Sequence, residues 1–149
     1  MARETRLWEW MRDGLKHTPN LHMRRVENLV SEGDPDVDGC WNGSYFEVEL
    51  KGCDRPAREG KLDFDLRQSQ ALWHRKRWRC GGNLWLYIRV GVGPATRRYL
   101  IPGKWTYDLR QRQEKEGIAE ADLKALCVLP SDHSPRDLLN RAAQRWEDR

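Results

Sequence analysis

The sequence predicts one α/β domain in which a mixed β-sheet is flanked by helices. Three observations predict it: helical and strand-like segments alternate along the chain, Asn42-Gly43 gives a hairpin signal, and a strand-like apolar run covers 84–90. The 149 residues are enough for one hydrophobic core that needs neither disulfides nor a structural metal.

The other elements of the first two thirds follow from hydrophobic spacing and turn residues. A helix is expected over about 5–16, because its apolar residues share one face, and a strand is expected over about 22–30. A charged loop over 52–65 is expected to be mobile, and the basic helix after it would end at Gly81-Gly82.

The strand that follows the hairpin turn carries two different rows of side chains. Alternate residues of a strand point to opposite faces, so one row is apolar and the other is charged. The apolar row consists of Phe46, Val48 and Leu50, and the charged row of Glu47, Glu49 and Lys51. We therefore expect the strand to bury one face and to present its chemistry on the other.

Asp36, which precedes the hairpin, is expected to face Glu49 across the two adjacent strands. Two carboxylates suit Mg2+, which prefers oxygen ligands and often uses only one or two protein carboxylates. The cation would activate water and neutralise charge on a phosphate. Lys51 would orient the attacking water or stabilise the developing charge as a point cation. These residues therefore predict metal-dependent cleavage of phosphodiesters.

The same residues also have an ordinary explanation. A Glu-x-Lys row is common on the solvated face of a half-buried strand, and Asp34-Pro35-Asp36 is a common start of a turn. The catalytic interpretation depends on the agreement of order, hairpin and spacing.

Five short motifs follow one another along 24–90. In order, they are Arg25-Val26-Glu27-Asn28, Gly33-Asp34-Pro35-Asp36-Val37, Val48-Glu49-Leu50-Lys51, Gln70 with Trp73, and Gly81-Gly82 before an apolar strand. Together they resemble the motifs of the PD-(D/E)XK nuclease superfamily, and within it those of the small VRR-NUC and phage Holliday-junction-resolvase-like members. The resemblance implies a restriction-endonuclease-like fold.

The resemblance also implies roles for single residues. Asp36 and Glu49 are similar to the metal ligands and Lys51 to the catalytic lysine. Glu27 is similar to an extra acidic residue that contributes to the metal site, and Gln70 to the glutamine that positions the metal-bound water or the phosphate. The residue before Pro35 departs from the family pattern, because Asp34 stands where small or hydroxylated residues are usual. Asp34 is therefore the alternative metal-binding aspartate.

A net charge of +4 and a pI near 9.0 favour a polyanionic partner. The predicted basic helix carries most of the relevant cations, and we expect these to contact nucleic acid. Alternatively, their long side chains cover Trp73 and Trp78 on a solvated face. The eight tryptophans could stack unpaired bases, although most are expected in the core. The basic residues are Arg67, Arg75, Lys76, Arg77 and Arg79.

The four cysteines and four histidines are dispersed, so a zinc site is not expected. His74 is interpreted as a DNA contact or a surface residue. Scattered cysteines, a polar N-terminus and the lack of a long apolar run predict a cytoplasmic protein without a membrane span. A compact nuclease of this type is similar to a phage or prophage product acting in a bacterial host.

The last third, about 104–149, is predicted to be a helical extension of a catalytic core at about 22–91. We expect a charged, exposed stretch over 110–117, a short helix over 119–126 and an edge strand over 127–129. A final helix would begin after Ser134, with Pro135 at its first position.

The sequence therefore predicts an endonuclease that hydrolyses DNA with Mg2+, which Mn2+ can replace. The resemblance implies a branched or Holliday-junction-like substrate and a homodimer, because a four-way junction needs two symmetric cuts. The alternative is a catalytically silent nucleic-acid-binding or assembly protein that keeps the fold. Unpaired carboxylates beside a phosphate argue against that alternative, because they repel it.

Overall fold

The computed structural model describes residues 2–26, 33–57 and 59–147. Its α-helices are α1 (Ala2–Leu15), α2 (Gln68–Arg79), α3 (Thr106–Lys115), α4 (Glu120–Leu126) and α5 (Pro135–Ala142). Its strands are β1 (Leu21–Arg25), β2 (Val37–Trp41), β3 (Ser44–Cys53), β4 (Lys61–Leu62), β5 (Leu84–Val90), β6 (Arg97–Pro102) and β7 (Ile118–Ala119). Short 3-10 turns cover Gly93–Ala95 and Gly103–Trp105.

The central sheet has five strands in the order β1-β2-β3-β5-β6. Only the β3–β5 pair is parallel among these neighbours, and α2 lies in the connection between the two strands. A parallel pair needs such a crossover, whereas the antiparallel pairs can be joined by short turns. The predicted α/β class with a mixed sheet and flanking helices is confirmed.

The β2–β3 hairpin sets the register on which the candidate site depends. Asn42 and Gly43 both have positive φ, 51° and 84°, as the favoured two-residue hairpin turn requires. Val37 pairs with Val48, so the antiparallel register places the preceding Asp36 opposite Glu49. The prediction that these two positions face each other across the hairpin is confirmed.

The sheet separates two hydrophobic clusters. The first lies under α1 and α5 and includes the apolar row of β3. The second lies on the α2 and α3 side of the sheet and includes Leu86 and Ile88 of β5. All seven residues of β5 are buried, as expected for a central strand covered on both faces. The charged row of β3 therefore points toward the second cluster.

Three local predictions need correction. The stretch 110–117, for which only exposure was predicted, is mostly helical as part of α3, whose Leu109 packs into the second cluster. The segment 127–129 forms no described strand, although the Val128 amide donates to the Leu100 carbonyl. The loop 52–65 contains the end of β3 and also β4, which pairs with β7.

The strand predicted over 22–30 is observed as β1 up to Arg25, and residues 27–32 lie outside the described part. No helix among the described residues is long and apolar enough to span a membrane.

Candidate functional site

Asp36 and Glu49 lie side by side where β2 begins opposite β3. The Leu50 amide donates a hydrogen bond to Asp36 Oδ2 at 2.8 Å, which fixes the orientation of that carboxylate. The Glu49 side chain is completely buried. The hairpin thus brings one half-buried and one buried carboxylate to the same point of the sheet.

Glu49 is in an unusual electrostatic state. Burial raises its pKa well above the ordinary value, and the neighbouring Asp36 carboxyl raises it further, while Lys51 and Arg67 oppose the shift. Neither carboxylate oxygen has an ordinary hydrogen-bond donor among the described residues. The Glu49 and Asp36 carboxyl groups can bond to each other only by sharing a proton, since two ionised carboxylates are both acceptors.

Lys51 is held by two acceptors. Its Nζ donates to the Gln70 side-chain Oε1 at 3.0 Å and also to the Asp65 backbone carbonyl. Gln70 Oε1 additionally accepts from the Arg67 amide at 3.0 Å, at the N-terminus of α2. Because an ammonium group has three donors, one N–H of Lys51 remains after these two bonds. The start of α2 therefore anchors the lysine through Gln70.

The charged row of β3 is more buried than the sequence indicates. Glu49 and Lys51 are 0% and 4% exposed, because Gln70 and His74 of α2 lie over them. Only Glu47 of this row is partly exposed, and its carboxylate lies 3.4 Å from Arg77 Nε. The expected open, chemistry-bearing face is wrong for Glu49 and Lys51, and the solvated-row explanation fails for them too.

His74 is the residue that sequence reasoning placed wrongly. It was expected at the surface or on DNA, but its side chain is completely buried. Its Nδ1 lies 2.9 Å from Thr106 Oγ1, and its Nε2 lies 4.0 Å from Glu49 Oε1. Burial and the nearby Lys51 ammonium lower the pKa of His74 to about 3, so the ring is neutral. The available signal was its spacing, one helical turn after Gln70.

Asp36 and Glu49 are the described residues that could hold a metal ion here. Their donors are carboxylate oxygens, which suit Mg2+ and Mn2+ better than Zn2+. Within residues 2–26, 33–57 and 59–147, no group of three or more histidine, cysteine or acidic residues is arranged for a metal. Glu27, the predicted third acidic residue, lies outside the described residues. The buried, unpartnered oxygens of Glu49 fit a cation that would satisfy them.

The predicted nucleic-acid-binding cations do not form a single patch. Arg67 precedes α2, whereas the other four lie toward its C-terminal end, about 12 to 18 Å further along the axis at 1.5 Å per residue. At that end, Arg75 stacks on Tyr107 at 3.9 Å, while Arg77 stacks on Trp73 at 4.5 Å. The exposed side chains of Lys76 and Arg79 form no salt bridge within the described part of the chain.

Comparison with known proteins identifies the fold. The structure is similar to that of Hjc, a Holliday junction resolvase from the archaeal hyperthermophile Archaeoglobus fulgidus, with a TM-score of 0.50 and 16% sequence identity. The alignment covers 80% of this chain and 93% of that chain. The chain has the restriction-endonuclease-like fold. No protein-family model and no curated protein matches the sequence.

The tryptophans of this restriction-endonuclease-like domain are mostly covered by its own cations. Among the described residues, seven of the eight have a guanidinium or ammonium group 4.0–5.1 Å from the ring centre. Arg145, for example, stacks on Trp78 and also donates to the Trp78 carbonyl. The interpretation that basic side chains of the predicted helix cover these rings therefore holds for Arg77 on Trp73, whereas Trp78 is covered by Arg145 from the C-terminal segment.

Proposed function

We propose that this protein is a metal-dependent endonuclease that hydrolyses phosphodiester bonds in DNA. The observation that carries the proposal is Glu49, a completely buried carboxylate with no ordinary donor among the described residues, placed beside Asp36 and near Lys51. An unpaired charge at such a position costs several kcal/mol unless a proton or a cation compensates it. A bound cation would provide this compensation.

Asp36 and Glu49 would hold Mg2+, or Mn2+ in its place, with Glu27 as a further proposed ligand. When bound, the cation would activate water and neutralise charge that develops on the phosphate. The Leu50 amide holds one oxygen of Asp36 in place, so this ligand is oriented before the metal arrives.

Lys51 would act on the substrate through its remaining N–H. Gln70 and the Asp65 carbonyl fix the position of the ammonium group, so this donor points in a defined direction. A positive charge held there stabilises negative charge on the phosphate more effectively than a mobile one, because no reorganisation is needed. In this proposal Gln70 is a positioning residue for Lys51, because its amide oxygen is already occupied by two donors.

The proposed substrate is branched DNA, and the proposed working form is a homodimer. The fold likeness to a Holliday junction resolvase supports the first point. Two symmetric cuts in a four-way junction would require two copies of the site. The setting in a bacterial cytoplasm and the membership of the VRR-NUC and phage group remain predictions from the sequence.

A catalytically silent nucleic-acid-binding protein is the second candidate, and the basic end of α2 is the observation that favours it. Buried carboxylates close to the phosphates of a bound nucleic acid would weaken its binding to such a protein, because like charges repel. The Asp36–Glu49 pair therefore favours the nuclease.

The test is cleavage of labelled duplex, single-stranded, flap and four-way-junction DNA with Mg2+, Mn2+ or EDTA. We expect metal-dependent cutting by the wild type, and its loss in Lys51→Ala and in the nearly isosteric Glu49→Gln. Lys16→Ala is the matched control, because Lys16 is exposed just after α1, which packs on the face of the sheet opposite the charged row of β3. Tight DNA binding without cleavage in any metal would favour the silent protein.

A further inference from the structure

His74 and Thr106 form a buried pair directly beside the candidate metal ligand Glu49. Both side chains are completely inaccessible to solvent. His74 comes from α2, and Thr106 is the first residue of α3, so the pair depends on the packing of the two helices. The Nδ1–Oγ1 distance of 2.9 Å is that of a hydrogen bond. The other ring nitrogen, Nε2, has no partner among the described residues.

The direction of the hydrogen bond follows from what each nitrogen faces. Nε2 lies 4.0 Å from Glu49 Oε1, which is an acceptor when ionised. A lone pair on Nε2 would point at that acceptor, so the tautomer with the proton on Nε2 is the consistent one. Nδ1 then accepts, and the Thr106 hydroxyl donates to it. The chain of donors runs from Thr106 through His74 toward Glu49.

We propose that His74, held in this tautomer by Thr106, is a positioning residue that orients the Glu49 carboxylate for metal binding. The 4.0 Å separation is about 1 Å longer than an N–H···O hydrogen bond, so a small rotation of Glu49 brings Oε1 into reach. Donation to one oxygen leaves the other free for a cation beside Asp36. The inference rests on the proposed function, because it assigns a role to residues around the same metal site.

The chain offers matched variants that separate positioning from packing. Thr106→Val removes the hydroxyl at nearly constant volume, whereas Thr106→Ser retains the hydroxyl and loses a methyl group. His74→Leu removes the donor, and His74→Gln places an amide N–H near the position of Nε2. None of these changes alters Asp36, Glu49 or Lys51.

The readout is the Kd for Mn2+ without DNA, measured by calorimetric titration, together with thermal melting in EDTA. His74→Leu should weaken Mn2+ binding by about 10- to 100-fold, the range typical of lost contacts to a metal ligand. Thr106→Val should weaken it by a smaller factor, while Thr106→Ser and His74→Gln should remain closer to the wild type. The cleavage rate of His74→Leu should be closer to that of the wild type at saturating Mn2+ than at limiting Mn2+.

Two outcomes would overturn the inference. One is an unchanged Mn2+ affinity in His74→Leu, whether or not its melting temperature falls, because His74 would then serve packing alone. The other is complete loss of Mn2+ binding in His74→Leu with no difference between Thr106→Val and Thr106→Ser, since His74 would then ligate the metal itself. If the wild type binds no Mn2+ and cuts no DNA, the proposed nuclease function fails instead.

Discussion

Glu49 is a single residue whose burial opposes the stability of the fold that positions it. Its carboxyl group is buried among apolar strands, next to a second carboxyl group. Lys51 is close enough to lower the Glu49 pKa, but its hydrogen bonds go to Gln70 and the Asp65 carbonyl instead. A buried acceptor without a donor typically costs about 1–3 kcal/mol. The residue therefore stabilises the folded protein only when a cation or a proton compensates it.

Glu49→Gln should raise the melting temperature in EDTA. The amide is neutral and can donate to Asp36, so the gain should be about 1–3 kcal/mol, at roughly 2–4 °C per kcal/mol for a chain of this size. Added Mg2+ should stabilise the wild type, by about 2.7 kcal/mol at 100 times its Kd, but not the variant. Thermal melting monitored by circular dichroism measures both effects.

Glu47→Gln is the control for this prediction. Glu47 belongs to the same row of β3, but it is partly exposed and paired with Arg77. Its replacement should leave the response to Mg2+ unchanged. A Glu49→Gln protein that melts below the wild type in EDTA would contradict the electrostatic account.

At the scale of elements, a second buried histidine joins α1, β5 and the turn before α5. His133 Nδ1 donates to the Pro130 carbonyl at 2.5 Å, so Nε2 accepts from the Tyr87 hydroxyl at 2.6 Å. Trp10 of α1 packs edge-on against the ring. Burial lowers the pKa of His133, and Arg98 adds to this, while the Pro130 carbonyl, Asp137 and Asp132 oppose the shift. The neutral ring is thus part of the packing.

The contribution of His133 to stability should therefore fall in mild acid. The lowered pKa means that the unfolded chain binds a proton more readily than the folded one, so the free energy of unfolding decreases as the pH drops below about 6.5. The slope for one histidine is at most about 1.4 kcal/mol per pH unit. His133→Gln should reduce this slope between pH 6.5 and 5 in urea titrations, because glutamine does not titrate.

His22→Gln serves as the comparison, since His22 is exposed on β1. The difference between the slopes of the two variants isolates the effect of the buried His133 ring. An equal slope in wild type and His133→Gln would mean that the His133 ring does not titrate with folding.

For the whole molecule, most of the positive charge is already used within the fold. The sequence contains 27 lysines and arginines and 23 acidic residues, so the net charge is small. Several guanidinium groups also cover tryptophan rings. The cations that remain for a polyanion are therefore fewer than the composition indicates. Lys76 and Arg79, exposed at the end of α2, are the strongest such candidates because neither forms a salt bridge within the described ranges.

Lys76→Ala/Arg79→Ala should weaken DNA binding and reduce its salt dependence. If each contacts one phosphate, the slope of log K against log salt should decrease by up to about 2. Fluorescence anisotropy over a salt series measures this slope. Arg12→Ala/Lys16→Ala removes the same charge from the α1 side of the sheet and should have little effect. Equal effects of the two double variants would mean that binding follows net charge alone.

We also propose that residues 1–149 fold as one unit, with the predicted extension as an integral part. Leu109 and Leu123 belong to the same cluster as β5, and Leu138 and Leu139 pack in the cluster on the other face. Strand β7 pairs with β4, which precedes α2. Both sides of the sheet therefore depend on residues beyond 104.

Much of this arrangement follows from local signals. The hairpin was predictable because Asn42-Gly43 selects one turn and so fixes the register that joins Asp36 to Glu49. Helix α3 was missed because its sequence is strongly charged, and only its packing against the sheet reveals the buried face. His74 was misplaced for the same reason, since the inward face of α2 depends on the sheet beneath it.

The sequence by itself determined the α/β class, the hairpin and the order of the polar residues along it, because these depend on side-chain alternation and turn conformation over a few neighbouring positions. The tertiary structure alone decided that Glu49 is buried, that Gln70 binds Lys51, and that α2 and α3 bring His74 to the site. These contacts join residues far apart in the chain. Their energies come from burial and charge, which exist only after the helices have packed on the sheet.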